Sequence, residues 1–353
     1  MRRLAAARET NGIHRKEPKR EPDLQQQLNL TGEYNGGSMT QTRRLIVAVI
    51  LQIIFIYGYG VAADKFFISI PGPTLSYVPL YYGQEKGFFG QEGLELHVLV
   101  VRGIVGVSSI MAGEIDVTCH AGSGFSAALR GVPVKVISVT RDRPIHELIV
   151  APTANSANEL KGKSIAVGSL DGTAAVMTRR ILQAKGLDAA KDVSFLSMDT
   201  PARLQSLFSG RVAGAMMTPP SIYLAEEKGY KVFGRGRDYM RYLQTGVVAT
   251  DTNIKQKRER LVRFLRAWNR GLKFFQDSPE IMIPYIQKRL GIKEASLARR
   301  MYDDDAPFVL NGGRLSADAA KEIVEIGREA LRIKEAVPPE KIFDFSLAQE
   351  AGR

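Results

Sequence analysis

The chain has 353 residues, 44% hydrophobic and 24% charged, which is ordinary globular composition and enough for one or two domains with sizeable cores. Its formal net charge is +12, which we interpret as mainly solvated surface charge that also attracts anions. Cys119 is the single cysteine, so an intrachain disulfide is excluded, and the four histidines lack a metal-ligand spacing. We therefore expect no metal and no cofactor.

The start of the chain predicts an export signal. Residues 1–38 are polar and without hydrophobic periodicity, so we interpret them as a disordered extension or a mis-called start. From Met39, a short basic stretch precedes an apolar run, Leu45–Tyr57, and small residues follow. This order is typical of a secretory signal peptide over residues 39–63, cleaved on export to the periplasm. An uncleaved membrane anchor is the alternative, because the apolar stretch approaches the ~20 residues that a bilayer requires.

Strands and helices alternate after this segment. A β-rich run, Phe66–Ile70, ends at a Pro-Gly-Pro turn. A helix is then predicted to begin near Pro79, because the first turn of a helix does not need the amide that proline lacks. A second strand follows, with alternating apolar residues at Leu94, Leu96 and Val98. Because this alternation continues, the pattern favours a parallel sheet covered by helices.

A second series of strands and helices begins after a polar linker, Pro152–Asn158. Its strands are predicted at Ser164–Val167, Val193–Met198, Ala213–Met217 and Tyr230–Phe233. From Asn253 onward the pattern is helical, and the first long helix has an apolar stripe with arginines and lysines beside it. We interpret the basic residues as a solvated helix face rather than a nucleic-acid surface, since no nucleic-acid motif accompanies them.

Four predicted strand-to-helix turns carry small or hydroxyl-bearing residues. Helix N-termini present unpaired amides and partial positive charge, which favour a carboxylate, sulfonate or phosphate group. The candidate ligand-binding residues at and beside these turns are Thr74, Ser76, Tyr77, His120, Gly122, Ser123, Asp171, Gly172, Thr173 and Thr218.

Each candidate also has an ordinary structural interpretation. A hydroxyl-bearing turn residue can simply cap its own helix, and capping is the alternative for Asp171 as well. Packing at a sheet edge is the alternative for Tyr77, and a satisfied core position is the alternative for His120. Arg141 and Arg143 either pair with a ligand anion or lie exposed on the surface. No nucleophile elbow, dinucleotide turn or phosphate-binding loop is present in the sequence.

A set of short motifs runs through the chain. In order, they are Ser76-Tyr77-Val78-Pro79-Leu80, Glu85-Lys86-Gly87-Phe88-Phe89, Glu92-Gly93-Leu94, Ala112-Gly113-Glu114-Ile115-Asp116-Val117, Leu160-Lys161-Gly162-Lys163 and Pro219. From Phe66 to Leu331, the chain thereby resembles the SsuA/THI5-like substrate-binding proteins of ABC importers for nitrate, sulfonate, taurine and thiamine-precursor compounds. It departs from their Gly-x-Val-Asp-Ala pattern at Gly210–Ala215, where a glycine replaces the acidic residue.

The resemblance implies an α/β fold of the periplasmic-binding-protein type, with two lobes joined by two hinge crossings and a ligand cleft between them. Lobe I would comprise residues 64–151 and 246–353, and lobe II residues 152–245. The hinges are expected near Ala151–Thr153 and Thr245–Val248. Such lobes close around a ligand by bending at a few hinge residues.

The implied function is that of a monomeric, non-enzymatic periplasmic receptor. It would capture a small anionic or heterocyclic solute, such as a sulfonate, nitrate, an aromatic acid or a pyrimidine, and deliver it to an inner-membrane permease. One alternative is an enzyme on the same fold, similar to menaquinone-pathway lyases or to thiamine-pyrimidine synthase. The latter has a cysteine-rich motif, whereas this chain has only Cys119. A membrane-tethered ligand-sensing domain is the other alternative.

Overall fold

The computed structural model describes residues 63–154 and 156–353. The predicted extension and signal peptide, apart from Ala63, lie outside the described residues. The strands in this part of the chain form two sheets of five. The first sheet contains β1 (Asp64–Ile70), β2 (Leu94–Val100), β3 (Val117–Thr118), β4 (Val134–Arg141) and β10 (Thr245–Thr250). The second sheet contains β5 (Glu147–Val150), β6 (Lys163–Val167), β7 (Val193–Ser197), β8 (Gly214–Met217) and β9 (Lys231–Arg235).

The two sheets have equivalent topologies. The first has the order β2-β1-β3-β10-β4, and the second has the order β7-β6-β8-β5-β9. In the first, β1 runs parallel to β2 and β3, while β10 is antiparallel to β3 and β4. In the second, β6 runs parallel to β7 and β8, while β5 is antiparallel to β8 and β9. In each sheet the antiparallel strand is the first one formed after the chain arrives from the other sheet.

The crossings between the sheets correct the predicted hinges. The chain leaves the first sheet after Arg141, enters the second at Glu147, and returns between Arg235 and Thr245. We expected Glu147–Val150 to belong to the first lobe, but the structure pairs this strand with β8 and β9. A short run rich in apolar residues predicts a strand but not the sheet to which the strand belongs. Lobe I and lobe II are therefore defined below by their sheets.

Helices follow most of the strands. In chain order they are α1 (Val78–Glu85), α2 (Phe88–Gln91), α3 (Gly103–Met111), α4 (Ala121–Leu129), α5 (Thr173–Ala184), α6 (Thr200–Phe208), α7 (Ser221–Glu226), α8 (Asp251–Gln256), α9 (Arg258–Asp277), α10 (Pro279–Leu290), α11 (Ala295–Asp305), α12 (Ala317–Leu331), α13 (Pro339–Ile342) and α14 (Ser346–Ala351). Pro79 lies in the first turn of α1, so the predicted helix start is confirmed. Within the described ranges, no helix combines the length and apolarity needed to cross a membrane.

Helix α9 anchors the core of lobe I with the apolar stripe that its sequence predicts. Phe264, Trp268 and Phe275 on this stripe are each at most 1% exposed. Phe264 stacks on Phe66 of β1 with ring centroids 4.6 Å apart. The basic side of the helix forms ion pairs with carboxylates, namely Arg258–Glu350, Arg260–Asp116, Arg263–Asp64 and Arg266–Glu92. This side is thus occupied by intramolecular pairs.

Candidate functional site

A cavity of about 240 Å³ lies between the two lobes. Its walls are the turns that follow β1, β2 and β3 in lobe I and β6, β7 and β8 in lobe II. His146 and Gln244, one from each crossing, complete the lining. This is where ligands bind in parallel α/β sheets, beyond the carboxyl ends of the strands. The volume is below the ~300–1,000 Å³ that is usual for drug-sized ligands, so the space suits a small molecule.

Nine of the ten candidate residues line this cavity. They are Thr74, Ser76, Tyr77, His120, Gly122, Ser123, Gly172, Thr173 and Thr218. The four predicted turns therefore converge, although they come from both lobes and span about 140 residues of sequence. Asp171 is outside the lining, and its carboxylate forms an ion pair with Arg130 at 3.0 Å.

His120 is satisfied within lobe I. Its Nε2–H donates to the carbonyl of Val101 at 2.8 Å, so its Nδ1 accepts the hydroxyl hydrogen of Thr118 at 2.7 Å. The Thr118 hydroxyl in turn accepts from Ser69 Oγ at 2.7 Å. Burial lowers the pKa of His120 to about 4, so the ring is neutral at pH 7. Because both nitrogens are paired, His120 shapes the wall but has no free hydrogen-bonding group for a ligand.

The hydroxyl of Tyr77 is also committed to lobe I. It donates to the carbonyl of Cys119 at 3.0 Å, and the side chain is 3% exposed. Burial raises the pKa of Tyr77 well above its usual value. The expected packing position for this residue therefore agrees with the structure, and only part of its surface faces the cavity.

Arg141 neither faces a ligand anion nor lies exposed on the surface, the two positions that we expected from sequence. It is fully buried and forms an ion pair with Asp305 of α11, with Nη2 and Oδ2 2.6 Å apart. Its Nε donates to both carboxylate oxygens, and Nη1 donates to the carbonyl of Ser76 at 3.3 Å. Since Asp305 neutralises its charge, Arg141 positions the turn beside the cavity rather than presenting a cation to it.

Four buried polar atoms at the cavity have no hydrogen-bond partner. They are Ser76 Oγ and Thr245 Oγ1 from lobe I, and Thr218 Oγ1 and Arg203 Nε from lobe II. Each of these residues is at most 5% exposed. An unpaired buried polar group costs about 1–3 kcal/mol, so such groups are uncommon without a purpose. All four residues line the cavity, and these polar atoms have no partner elsewhere in the described part of the chain.

The sequence interpretation missed Arg203 on α6. Its two terminal nitrogens donate to the Met216 carbonyl and to Thr200 Oγ1, both neutral oxygens. Burial lowers the pKa of Arg203 to about 10, which leaves the guanidinium charged at pH 7. Arg203 has no ion-pair partner in the part of the chain that the structure describes. The available signal was a charged residue on the face of α6 that also buries Ser206 and Leu207.

The two crossings meet at the cavity through His146 and Gln244. The Nδ1–H of His146 donates to Gln244 Oε1 at 2.7 Å. Burial and the nearby positive charge of Arg203 lower the pKa of His146 to about 4. This histidine is therefore neutral at pH 7, and Arg203 is the buried charged residue among those that line the cavity.

The cavity has few of the groups that covalent or metal chemistry requires. Burial raises the pKa of the Cys119 thiol far above its usual range, so the nucleophilic thiolate is disfavoured. Among residues 63–154 and 156–353, no three or more potential ligands from His, Cys, Asp and Glu cluster in a way that would hold a metal ion. The arrangement instead offers hydrogen bonds and two arginines, the exposed Arg102 and the buried Arg203, neither of which forms a direct ion pair among the described residues.

Comparison with known proteins agrees with this architecture. The family model described as NMT1/THI5 like matches residues 75–281. A solved structure from Bordetella bronchiseptica is similar with a TM-score of 0.72 at 18% identity, covering 82% of this chain and 97% of that chain. The alkanesulfonate-binding protein SsuA from Xanthomonas axonopodis pv. citri, bound to MOPS, is similar with a TM-score of 0.64 at 14% identity. The match covers 82% of this chain and 97% of that chain.

An enzyme has the same fold. The desulfurization enzyme DSZB is similar with a TM-score of 0.57 at 16% identity, covering 82% of this chain and 98% of that chain. No curated protein matches the sequence. At these identities the structural likeness shows the fold alone, and the predicted fold class, that of periplasmic binding proteins, is confirmed.

Proposed function

Because the chain belongs to the NMT1/THI5-like family, as its motifs predicted, we propose that it is the solute-binding component of an ABC importer. It captures one small solute in the cavity between its lobes and delivers it to a permease of the inner membrane. The predicted export signal supports a periplasmic location for this step. The observation that carries the proposal is the convergence of strand-to-helix turns from both lobes on one cavity, whose lining includes four residues with unpartnered polar atoms.

The chemistry of these atoms favours an anionic group on the solute. Arg203 Nε can only donate a hydrogen bond, and the three hydroxyls can donate as well as accept. A carboxylate, sulfonate or similar anion has enough acceptor oxygens to pair with several of them at once. It would also neutralise Arg203. A neutral heterocycle could pair with the hydroxyls but would leave this buried charge unmatched.

Solute binding and lobe closure are linked in this arrangement. Ser76 and Thr245 belong to lobe I, whereas Thr218 and Arg203 belong to lobe II. A solute that contacts both pairs binds the closed arrangement more tightly than an open one. It therefore shifts the equilibrium towards closure, by as much as its affinities for the two arrangements differ.

An enzymatic function has less support from the cavity. The fold accommodates an enzyme in DSZB, and both Cys119 and His120 lie at the cavity here. However, burial keeps the Cys119 thiol protonated, and both ring nitrogens of His120 are already hydrogen-bonded. A thiolate–histidine pair, the usual route to an activated cysteine, is thus disfavoured.

A solute screen tests the proposal. The purified protein would be melted in the presence of nitrate, alkanesulfonates, aromatic carboxylates and pyrimidines, and hits would be titrated by calorimetry. We expect one class to bind with 1:1 stoichiometry and to stabilise the protein by about 2.7 kcal/mol at one hundred times its dissociation constant. The bound solute should be recovered unchanged. Chemical conversion of a hit, or failure of every class to bind, would contradict a transport receptor.

A further inference from the structure

Asp171 was predicted to bind ligand, but it connects the two lobes outside the cavity. It lies in the turn between β6 and α5 of lobe II. Its main-chain carbonyl accepts a hydrogen bond from Ser126 Oγ at 2.6 Å, and its Oδ2 accepts from Arg130 Nη1 at 3.0 Å. Ser126 lies on α4 and Arg130 immediately follows it, so both partners belong to lobe I.

The turn that carries Asp171 is also fixed to its own lobe. Ser169 Oγ donates to Asp171 Oδ1 at 2.7 Å, and Arg179 Nη2 donates to the carbonyl of Leu170 at 2.9 Å. Both donors are in lobe II. Because these bonds hold the turn to lobe II, Asp171 cannot follow lobe I when the lobes separate. Opening the cleft must therefore break the contacts to Ser126 and Arg130.

The same contact zone continues to the cavity wall. A Cβ atom on Gly122 of α4 would lie 2.3 Å from Thr173 Oγ1 and 2.5 Å from the Thr173 main-chain nitrogen. The N-termini of α4 and α5, from different lobes, thus approach with no room for a side chain between them. We call the residues Gly122, Ser126, Arg130, Asp171 and Thr173 the α4 seam.

We propose that Asp171 is a closure residue, which sets the open–closed equilibrium of the lobes through the α4 seam without touching the solute. The seam contacts link opposite lobes, so they stabilise the closed arrangement only. They involve protein atoms alone, so they maintain a closed population even before solute binds. The consequence for solute affinity rests on the proposed transport function, but the lobe equilibrium can be measured without any solute.

The expected effect is moderate because the ion pair is partly exposed. The side chains of Arg130 and Asp171 are 48% and 32% exposed. Exposed ion pairs contribute up to ~1 kcal/mol, so the Asp171→Asn substitution should reduce the ratio of closed to open molecules about two- to five-fold. The Ser126 bond to the main chain is retained in this variant. Solute affinity should fall by the same factor as the closed population.

Distance measurements between spin labels test the proposal. Labels are attached through Glu114→Cys in lobe I and Lys191→Cys in lobe II, both exposed sites, while the native Cys119 is buried. In the solute-free protein, we expect Asp171→Asn and Arg130→Gln each to increase the population with the longer distance. Since the two residues form one pair, the double variant should show no further increase.

Two control variants calibrate this measurement. Asp277→Asn removes the same charge from an ion pair inside α9, with Lys273, and should leave the distances unchanged. Gly122→Ala inserts a methyl group into the seam and should give the fully open distance. The proposal would be overturned if Asp171→Asn kept the wild-type label-to-label distances while Gly122→Ala changed them. It would also be overturned if the solute-free wild-type protein showed only the longer distance. Failure of every solute to bind would contradict the transport function but would leave this measurement decisive.

Discussion

The two lobes share one strand order but present different walls to the cavity. In lobe I, His120 and Tyr77 at the cavity wall and Arg141 beside it are paired within the lobe. In lobe II, Arg203 has no direct ion pair among the described residues, although the charge of the exposed Asp199 nearby acts on it, and the Thr218 hydroxyl has no partner. Equivalent topology therefore does not give equivalent chemistry. Lobe I contributes an exposed cation, Arg102, to the cavity lining, whereas lobe II contributes a buried one, Arg203.

The C-terminal helices explain part of this difference. Asp305, which neutralises Arg141, belongs to α11, and α11 follows the last strand of the first sheet. The chain returns to lobe I through β10 and then builds α8 to α14. Lobe I thus gains side chains from a long helical segment, and one of them satisfies its buried arginine. Removing that side chain would leave lobe I, like lobe II, with a buried arginine that has no direct ion pair.

The largest expected effect comes from the Asp305→Ala substitution, which abolishes this difference. It leaves Arg141 buried and unpaired, so we expect the free energy of unfolding to fall by about 3–5 kcal/mol. Urea unfolding measures this loss. Asp303→Ala is the matched control, because its partner Arg299 lies one turn away on the exposed side of the same helix, and it should cost below ~0.5 kcal/mol.

A double substitution separates the charge effect from packing. Replacing both members, as Arg141→Met with Asp305→Leu, should recover most of the lost stability, since no buried charge then remains. Equal stability of Asp305→Ala and the control would show that Arg141 does not depend on its carboxylate. The comparison between the neutralised Arg141 of lobe I and the unpaired Arg203 of lobe II would then fail.

The second prediction concerns solute affinity and compares two arginines at equivalent places. Arg203 follows β7 and is buried, whereas Arg102 follows β2 and is exposed. Arg203→Gln should cost about 2–3 kcal/mol of binding free energy, about 30- to 150-fold in the dissociation constant, because it removes a desolvated charge–anion contact. Arg102→Gln should cost below ~0.5 kcal/mol, since water screens an exposed charge.

Calorimetric titration of both variants with the same solute makes this comparison. Arg203→Lys retains the charge without the planar donor group, so it should have an intermediate affinity. The melting temperature of each solute-free variant checks that the fold is intact. A larger loss in Arg102→Gln than in Arg203→Gln would assign the main anion contact to lobe I and reverse the proposed division of roles.

Sequence patterns predicted the alternating strands and helices and most of the cavity lining, whereas the two-lobe fold class came from the resemblance to the family. Apolar runs ending in small or hydroxyl-bearing residues identified the turns after β1, β3, β6 and β8, because parallel strands place such turns at one edge. The turns after β2 and β7 were missed. Arg203 lies there among ordinary helix-forming residues, and its sequence neighbours do not indicate that its guanidinium is buried without a counter-ion.

The remaining errors arise from long-range pairing. Arg141 and Asp305 are 164 positions apart, so no local pattern could show that the arginine is buried and neutralised. Asp171 follows an apolar strand and precedes a helix, which is the pattern of a cap or a ligand residue. Its actual partners, Ser126 and Arg130, lie on a different lobe. Local sequence predicts which turns carry polar groups but not which groups will find partners elsewhere.

The smallest of the three effects tests the claim that His120 is neutral in the folded protein. His120 has its pKa lowered to about 4 by burial, whereas a histidine in the unfolded chain titrates near ~6.5. Between these values the unfolded chain binds the proton and the native protein does not. His120 therefore leaves the free energy of unfolding unchanged above the unfolded pKa. It lowers this free energy as the pH decreases from the unfolded pKa towards the folded one. From pH 7 to pH 5 the His120 contribution is about 2 kcal/mol.

Urea unfolding of wild type and His120→Asn at pH 7 and pH 5 isolates this contribution. The substitution also removes hydrogen bonds, so it lowers stability at both pH values, and the informative quantity is the difference between them. We expect this difference to be about 2 kcal/mol smaller in the variant. His97→Asn, at a side chain that is 35% exposed, controls for loss of a histidine as such.

An unchanged pH difference in His120→Asn would mean that the ring accepts a proton in the folded protein. Lobe I would then contribute a buried cation of its own to the cavity at mildly acidic pH, and the difference between the buried residues of the two walls would hold only near neutrality.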